Sequence, residues 1–154
     1  MNRSIVLFLV LLLALPGLYQ CASVSKAPAE QSDAAKTLDA EEGRGVVFLY
    51  RPGKAIGSAV AVRVRVNSVE AGGTGPGTFF RWELEPGKYT FFSSSGESSA
   101  TVELDVEAGK AYFIEQVTKI GLSDVRVTLK IKDEETGAKA VSGLKLAVSA
   151  YIPE

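Results

Sequence analysis

The chain has 154 residues, 17 Lys+Arg against 18 Asp+Glu, a formal net charge of −1 and no histidine. A near-neutral chain lacks the basic footprint of a nucleic-acid binder, so nucleic acid is excluded as a partner. Without histidine, a Ser-His-Asp triad, a Cys-His dyad and His-based zinc or iron sites are all excluded, and no cofactor is expected.

Residues 1–20 read as a secretory signal, with Arg3 as the positive start, an apolar run over Ile5–Leu15, and Pro16-Gly17 as the helix break. The run is too short to span a bilayer, which takes about 20 apolar residues. Leu18-Tyr19-Gln20-Cys21 follows. This stretch resembles the lipobox of bacterial lipoproteins, in which a leucine lies three residues before a cysteine that is diacylated on sulphur and becomes the new N-terminus. Gln20 departs from the pattern, which usually has a small residue there. Cys21 is the only cysteine in the chain; lipidation with palmitate-type chains consumes it and leaves a mature protein without thiol or disulphide. Cleavage at Cys21 also removes Arg3, so 16 Lys+Arg face 18 Asp+Glu and the net charge becomes −2. The expected location is the bacterial cell envelope. Ala22 after the cysteine resembles the sorting pattern for an outer membrane lipoprotein facing the periplasm.

From Cys21 to Arg44 the composition turns to Ala, Ser, Lys, Glu, Gln and Asp, with Val24 and Leu38 the only large aliphatics. So little apolar area does not offset ordering entropy, and the segment reads as a flexible tether. At 23 residues beyond the cysteine it reaches roughly 75–80 Å when fully extended.

Beyond Arg44 the hydrophobic period becomes two, the mark of strands. Gly45–Tyr50 is an apolar run. Ser58–Val66 alternates, with Val60, Val62, Val64 and Val66 opposite Arg63 and Arg65. Thr78–Leu84 and Lys88–Ser93 form a hairpin about Glu85-Pro86-Gly87, where proline and glycine suit the two central positions of a type II turn. Thr101–Val106 sets Val102, Leu104 and Val106 against Glu103 and Asp105, and Ala108-Gly109 leads into Ala111–Val117. Val125–Lys132 alternates most clearly, with Val125, Val127, Leu129 and Ile131 on one face. Glu134–Val141 reads as a turn or short helix and Leu144–Tyr151 as a closing strand. Seven to eight short strands over residues 45–154 predict an all-β domain, an antiparallel β-sandwich of the immunoglobulin-like or prealbumin-like kind.

Val47-Phe48-Leu49-Tyr50-Arg51-Pro52, Gly57-Ser58, Gly77-Thr78-Phe79-Phe80, Leu84-Glu85-Pro86-Gly87-Lys88-Tyr89 and Val106-Glu107-Ala108-Gly109-Lys110-Ala111-Tyr112 occur in that order. Together they resemble the bacterial family catalogued as domain of unknown function 2846, over about residues 44–135. The resemblance implies a β fold and an envelope lipoprotein, and brings no known activity.

Several stretches offer chemistry. The serines of 93–99 would need a desolvated lysine as base to act as nucleophiles; a polar hairpin loop is the simpler reading. Glu103, Asp105 and Glu107 alternate outward, as a solvated face does. Gly72–Gly77 reads as a loop, since a strand and not a helix N-terminus follows it. Arg63, Arg65, Arg126, Lys130 and Lys132 either receive an anionic envelope ligand or pair across strands with Glu103 and Asp105. Phe79/Phe80 and Phe91/Phe92 send one ring to each sheet face, so the outer rings either form an aromatic patch for a partner or sugar or are covered, for which the 134–150 segment is available. Tyr50 and Arg51 are the candidate ligand or partner site, because Pro52 holds Arg51 extended at the sheet end; the alternative is that Arg51 pairs with a carboxylate and Tyr50 is core. No catalytic residue and no metal ligand is assigned, and the chain is not expected to be an enzyme. The expected function is a membrane-tethered envelope lipoprotein with a structural or interaction role, partnered by the membrane through its lipid and by an envelope protein or glycan. The alternative is a binding module for a small molecule, peptide or glycan at a sheet end.

Overall fold

The computed structural model describes residues 24–53 and 60–154. The signal stretch, Cys21, the Gly57-Ser58 motif and the start of the strand expected from Ser58 lie outside the described residues.

The strands are β1 (Gly45–Arg51), β2 (Val62–Val66), β3 (Val69–Thr74), β4 (Thr78–Leu84), β5 (Gly87–Ser94), β6 (Ser99–Val106), β7 (Ala111–Ile120), β8 (Val125–Lys132) and β9 (Lys145–Leu146). Helix α1 (Ala29–Ala34) precedes β1, and α2 (Glu134–Ser142) lies between β8 and β9. They form two facing sheets, ordered β8-β7-β1-β4-β9 and β3-β2-β5-β6, which is the expected all-β sandwich. Most neighbours are antiparallel; β1–β7 and β4–β9 are parallel.

Between the sheets, alternate residues of each strand interdigitate: Val47 and Leu49 from β1, Phe80, Trp82 and Leu84 from β4, and Val64, Val66 and Phe91 from the facing sheet. Residues one step out of phase form a second layer. Val46, Phe48, Tyr50, Phe79 and Phe113 point away from the sandwich and are covered by Val141 of α2 and by Leu144. Phe48 and Phe113 stack there with centroids 4.8 Å apart. The helix lies close because Gly137 faces Phe113, and a Cβ at that position would run into the ring. Asp133 caps its N-terminus by accepting the Thr136 amide hydrogen at 2.8 Å. The central strands β1 and β4 of the five-stranded sheet are thus covered on both faces, and Phe79 finds its cover where the sequence offered it. Phe92 is half-buried beneath the Arg65 guanidinium, 5.5 Å from the ring centroid.

Three segments differ from their sequence reading. Strand β3 takes in Gly72 and Gly73, read as loop: Gly72 has φ +116, a conformation that favours glycine, beside the register shift between Val64 and Arg65 of β2. The closing strand shrinks to Lys145–Leu146, and the chain beyond it crosses the open edge of the sandwich. There the Ala147 amide donates to Phe79 O at 2.8 Å, the Ala150 amide to Ala71 O at 3.0 Å, and Trp82 Nε1 to Ser149 Oγ at 2.9 Å.

The third difference concerns the tether. From Val24 onward the chain is bonded to the domain. The Val148 amide donates to Ser25 O at 2.9 Å, the Ala27 amide to Leu146 O at 2.9 Å, and the Leu146 amide to Ser32 Oγ at 2.8 Å. Val24 packs on the main core, and Ala35 and Ala40 on the outer layer. Further along, Arg81 donates to Thr37 O and Asp39 O. Composition misses this because the attachment is made by backbone hydrogen bonds to an unpaired strand edge and by a few small side chains.

Candidate functional site

The inward phase of β1 runs Val47, Leu49, Arg51, so the residue that follows two core aliphatics is a cation facing the sandwich interior. Arg51 is 0% exposed. Its Nη1 donates to Val60 O at 2.7 Å and Thr74 O at 3.3 Å, so main-chain dipoles hold the charge. Burial pushes the guanidinium pKa down. The sequence reading of Arg51 as a sheet-end residue offered to a ligand or partner gives way to a buried residue that joins β1 to the facing sheet. Tyr50, its neighbour, turns to the outer layer beneath α2. Burial, with Glu115 and Asp133 adding to it, raises its phenol to about 12, so it stays neutral. The two halves of the candidate pair therefore occupy opposite faces of one sheet.

Around Arg51 the same end of the sandwich collects the polar interior. Thr74, Ser93 and Gln116 are each fully buried. Thr74 Oγ1 donates to Gln116 Oε1, and Gln116 Nε2 donates to Ser93 Oγ at 2.9 Å. The line Arg51, Thr74, Gln116, Ser93 crosses between the two sheets at each step, satisfying groups whose desolvation would otherwise cost about 1–3 kcal/mol each. Ser93, a hydroxyl considered for nucleophilic chemistry, is thereby committed to an amide. Gln116 is in phase with Ile114 on β7 and escaped the sequence reading; the periodicity that made Ile114 core carried the signal for it.

Two turns meet at this end. Glu97, in the β5–β6 turn, accepts from the amides of Leu122, Ser123 and Asp124 at 2.6, 3.1 and 3.3 Å and from Arg126 Nε at 2.8 Å. In return Asp124 Oδ2 accepts from the Gly96 amide at 2.7 Å, and the Val127 amide donates to Ser98 Oγ at 2.8 Å. The Arg126 hydrogen bond, followed by that from the Ser123 amide, holds the Glu97 carboxyl at about 2, below an ordinary 4.5. A carboxyl with a lowered folded pKa stabilises the fold above its unfolded pKa and loses that contribution as pH falls. Melting temperatures should therefore fall on acidification from about 4.5 toward about 2, and Glu97→Gln should melt lower at neutral pH with a shallower dependence across that window. Identical pH slopes for the two proteins would remove the clamp from the account.

Of the five cations weighed for an anionic ligand, three are paired, with partners other than Glu103 and Asp105. Arg65 meets Glu70 at 3.2 Å, Arg126 meets Glu97 at 2.8 Å, and Lys132 meets Glu115 at 3.1 Å. Glu103, Asp105 and Glu107 are exposed on and just after β6. Among the described residues no three His, Cys, Asp or Glu side chains are grouped to hold a metal ion. Two clefts stand out. One, of about 480 Å³, lies at the end opposite Arg51 between Tyr89 and Tyr151, with Asn67 and Glu85 at its rim. The other, of about 280 Å³, lies between α1 and the end of α2, where Lys26, Lys36 and Lys145 gather.

A family model described as protein of unknown function (DUF2846) matches residues 41–128. The chain belongs to this family. An uncharacterized protein of Haemophilus influenzae is 33% identical to it over 130 residues, covering 84% of this chain and 77% of the relative. The DUF2846 match begins just before β1 and ends within β8, so it takes in Arg51, Thr74, Ser93, Gln116 and Glu97. Helix α2 and the edge-crossing segment follow it in the chain.

Proposed function

We propose that the protein is an envelope lipoprotein, held to the membrane through Cys21, whose sandwich has a non-enzymatic structural or interaction role. The observation that carries this reading is the sequence from Arg3 to Cys21: a charged start, a short apolar run, a Pro-Gly break and the only cysteine of the chain three residues after a leucine. The character of the sandwich supports it, since the polar groups at the Arg51 end are spent on joining the two sheets. Metabolic labelling with an alkyne-bearing palmitate analogue tests the reading. Label should follow the wild type and be absent from Cys21→Ala; an unlabelled wild type overturns it.

A second reading, a glycan or peptide module, is favoured by the Tyr89–Tyr151 cleft, where two aromatic rings stand beside the polar groups of Asn67 and Glu85.

A further inference from the structure

We propose that the open edge of the sandwich, marked by Lys26, Lys145 and Val148, is the face that the protein lays against the anionic phospholipid headgroups of its own membrane. This rests on the acylation of Cys21 proposed above. The first support is chain length. Val24 already packs on the core, close to Gly73 and Gly75, and Ser25 is bonded to Val148. Only Ala22 and Ser23 separate Cys21 from that contact. Three peptide steps of at most about 3.3–3.6 Å each place the acylated residue within roughly 11 Å of Val24. The lipid anchor is therefore held near this edge, whereas a free tether would have allowed any face to approach.

Charge is the second support. Lys26 and Lys145 are exposed and flank the cleft between α1 and the end of α2 together with Lys36; the one carboxylate lining it, Asp33, is neutralised by Lys36 at 2.8 Å. The chain as a whole is slightly acidic, so two uncompensated ammonium groups beside the anchor point run against the average. Val148 adds an aliphatic side chain, 56% exposed, beside Ser25. Basic groups next to a lipid anchor favour anionic leaflets, and their effect fades within a Debye length, a distance comparable to the reach available here.

The test uses the full, acylated protein in vesicles of phosphatidylethanolamine with or without phosphatidylglycerol. Acylation at Cys21 leaves no free thiol, so Val148→Cys and, on the far edge of the sandwich, Thr128→Cys each take one fluorescent label. Headgroup-nitroxide lipids should quench the label at position 148 several-fold more than that at 128. In phosphatidylglycerol vesicles, Lys26→Gln and Lys145→Gln should each lower the ratio of docked to undocked protein roughly fivefold. Equal quenching at 148 and 128 on protein that co-floats with vesicles overturns the docking face and leaves the lipid anchor standing. Failure to co-float, with an unmodified Cys21 by mass, overturns the anchor and this proposal with it. A label at 148 shielded only at high protein density would assign the edge to a second copy of the chain instead.

Discussion

Replacing Arg51 by alanine should lower the unfolding midpoint of the domain by roughly 10–20 °C. The Val60 and Thr74 carbonyls would lose a buried donor, and the largest fully buried side chain among the described residues would leave a void. Unsatisfied buried acceptors and large-to-small truncation together cost about 3–5 kcal/mol, and a domain of this size loses about 3–5 °C for each kcal/mol. Arg51→Lys should recover part of the loss, since an ammonium keeps the charge and gives up the fork. Calorimetry of the three proteins checks this. A midpoint for Arg51→Ala within a degree or two of the wild type would show that the guanidinium contributes nothing to joining the sheets, and would return Arg51 to the list of candidate contact residues.

Replacing Cys21 by alanine should release the protein from the membrane or stall it as a precursor that keeps its signal stretch. Each buried methylene contributes about 0.8 kcal/mol, and two acyl chains anchor stably where one is marginal. Fractionation with intact-mass analysis separates the outcomes. A soluble variant or an uncleaved one fits the proposed anchor, whereas a variant cleaved at the same position and still sedimenting with membranes overturns it.

Strand positions were legible wherever one face meets solvent. Val102, Leu104 and Val106 alternate with Thr101, Glu103 and Asp105, and β6 lies where that pattern put it. Legibility failed where a strand is covered on both sides. The continuous run Val46–Tyr50 contains no polar residue to mark the phase, so Arg51 could not be assigned to the interior by inspection, although its spacing from Leu49 and Val47 fixes it there once the phase is known. Strand β3 was hidden by its glycines, which carry little strand propensity, Gly72 sitting at a positive φ. The docking of residues 24–40 was hidden for a different reason: it depends on which strand edge is left open, a property of the assembled sheet. The parallel pairing of β1 with β7 was equally out of reach, since local pattern does not specify a neighbour.

That pairing decides the order in which the molecule can assemble. Val46 meets Ala111, a residue 65 positions later, and Phe48 waits for Phe113 and for Val141 of the helix that follows. A chain that emerges N-terminus first can pair one edge of its most apolar strand with β4, but must carry the other edge and the outer face unsheltered until nearly all of the domain is available. Long-range closure of this kind places refolding in roughly the millisecond-to-second range, and through that interval β1 is the segment most prone to pair with a neighbouring chain. A holdase that shields Val46–Tyr50 until β7 is available would act on the chain's weakest moment.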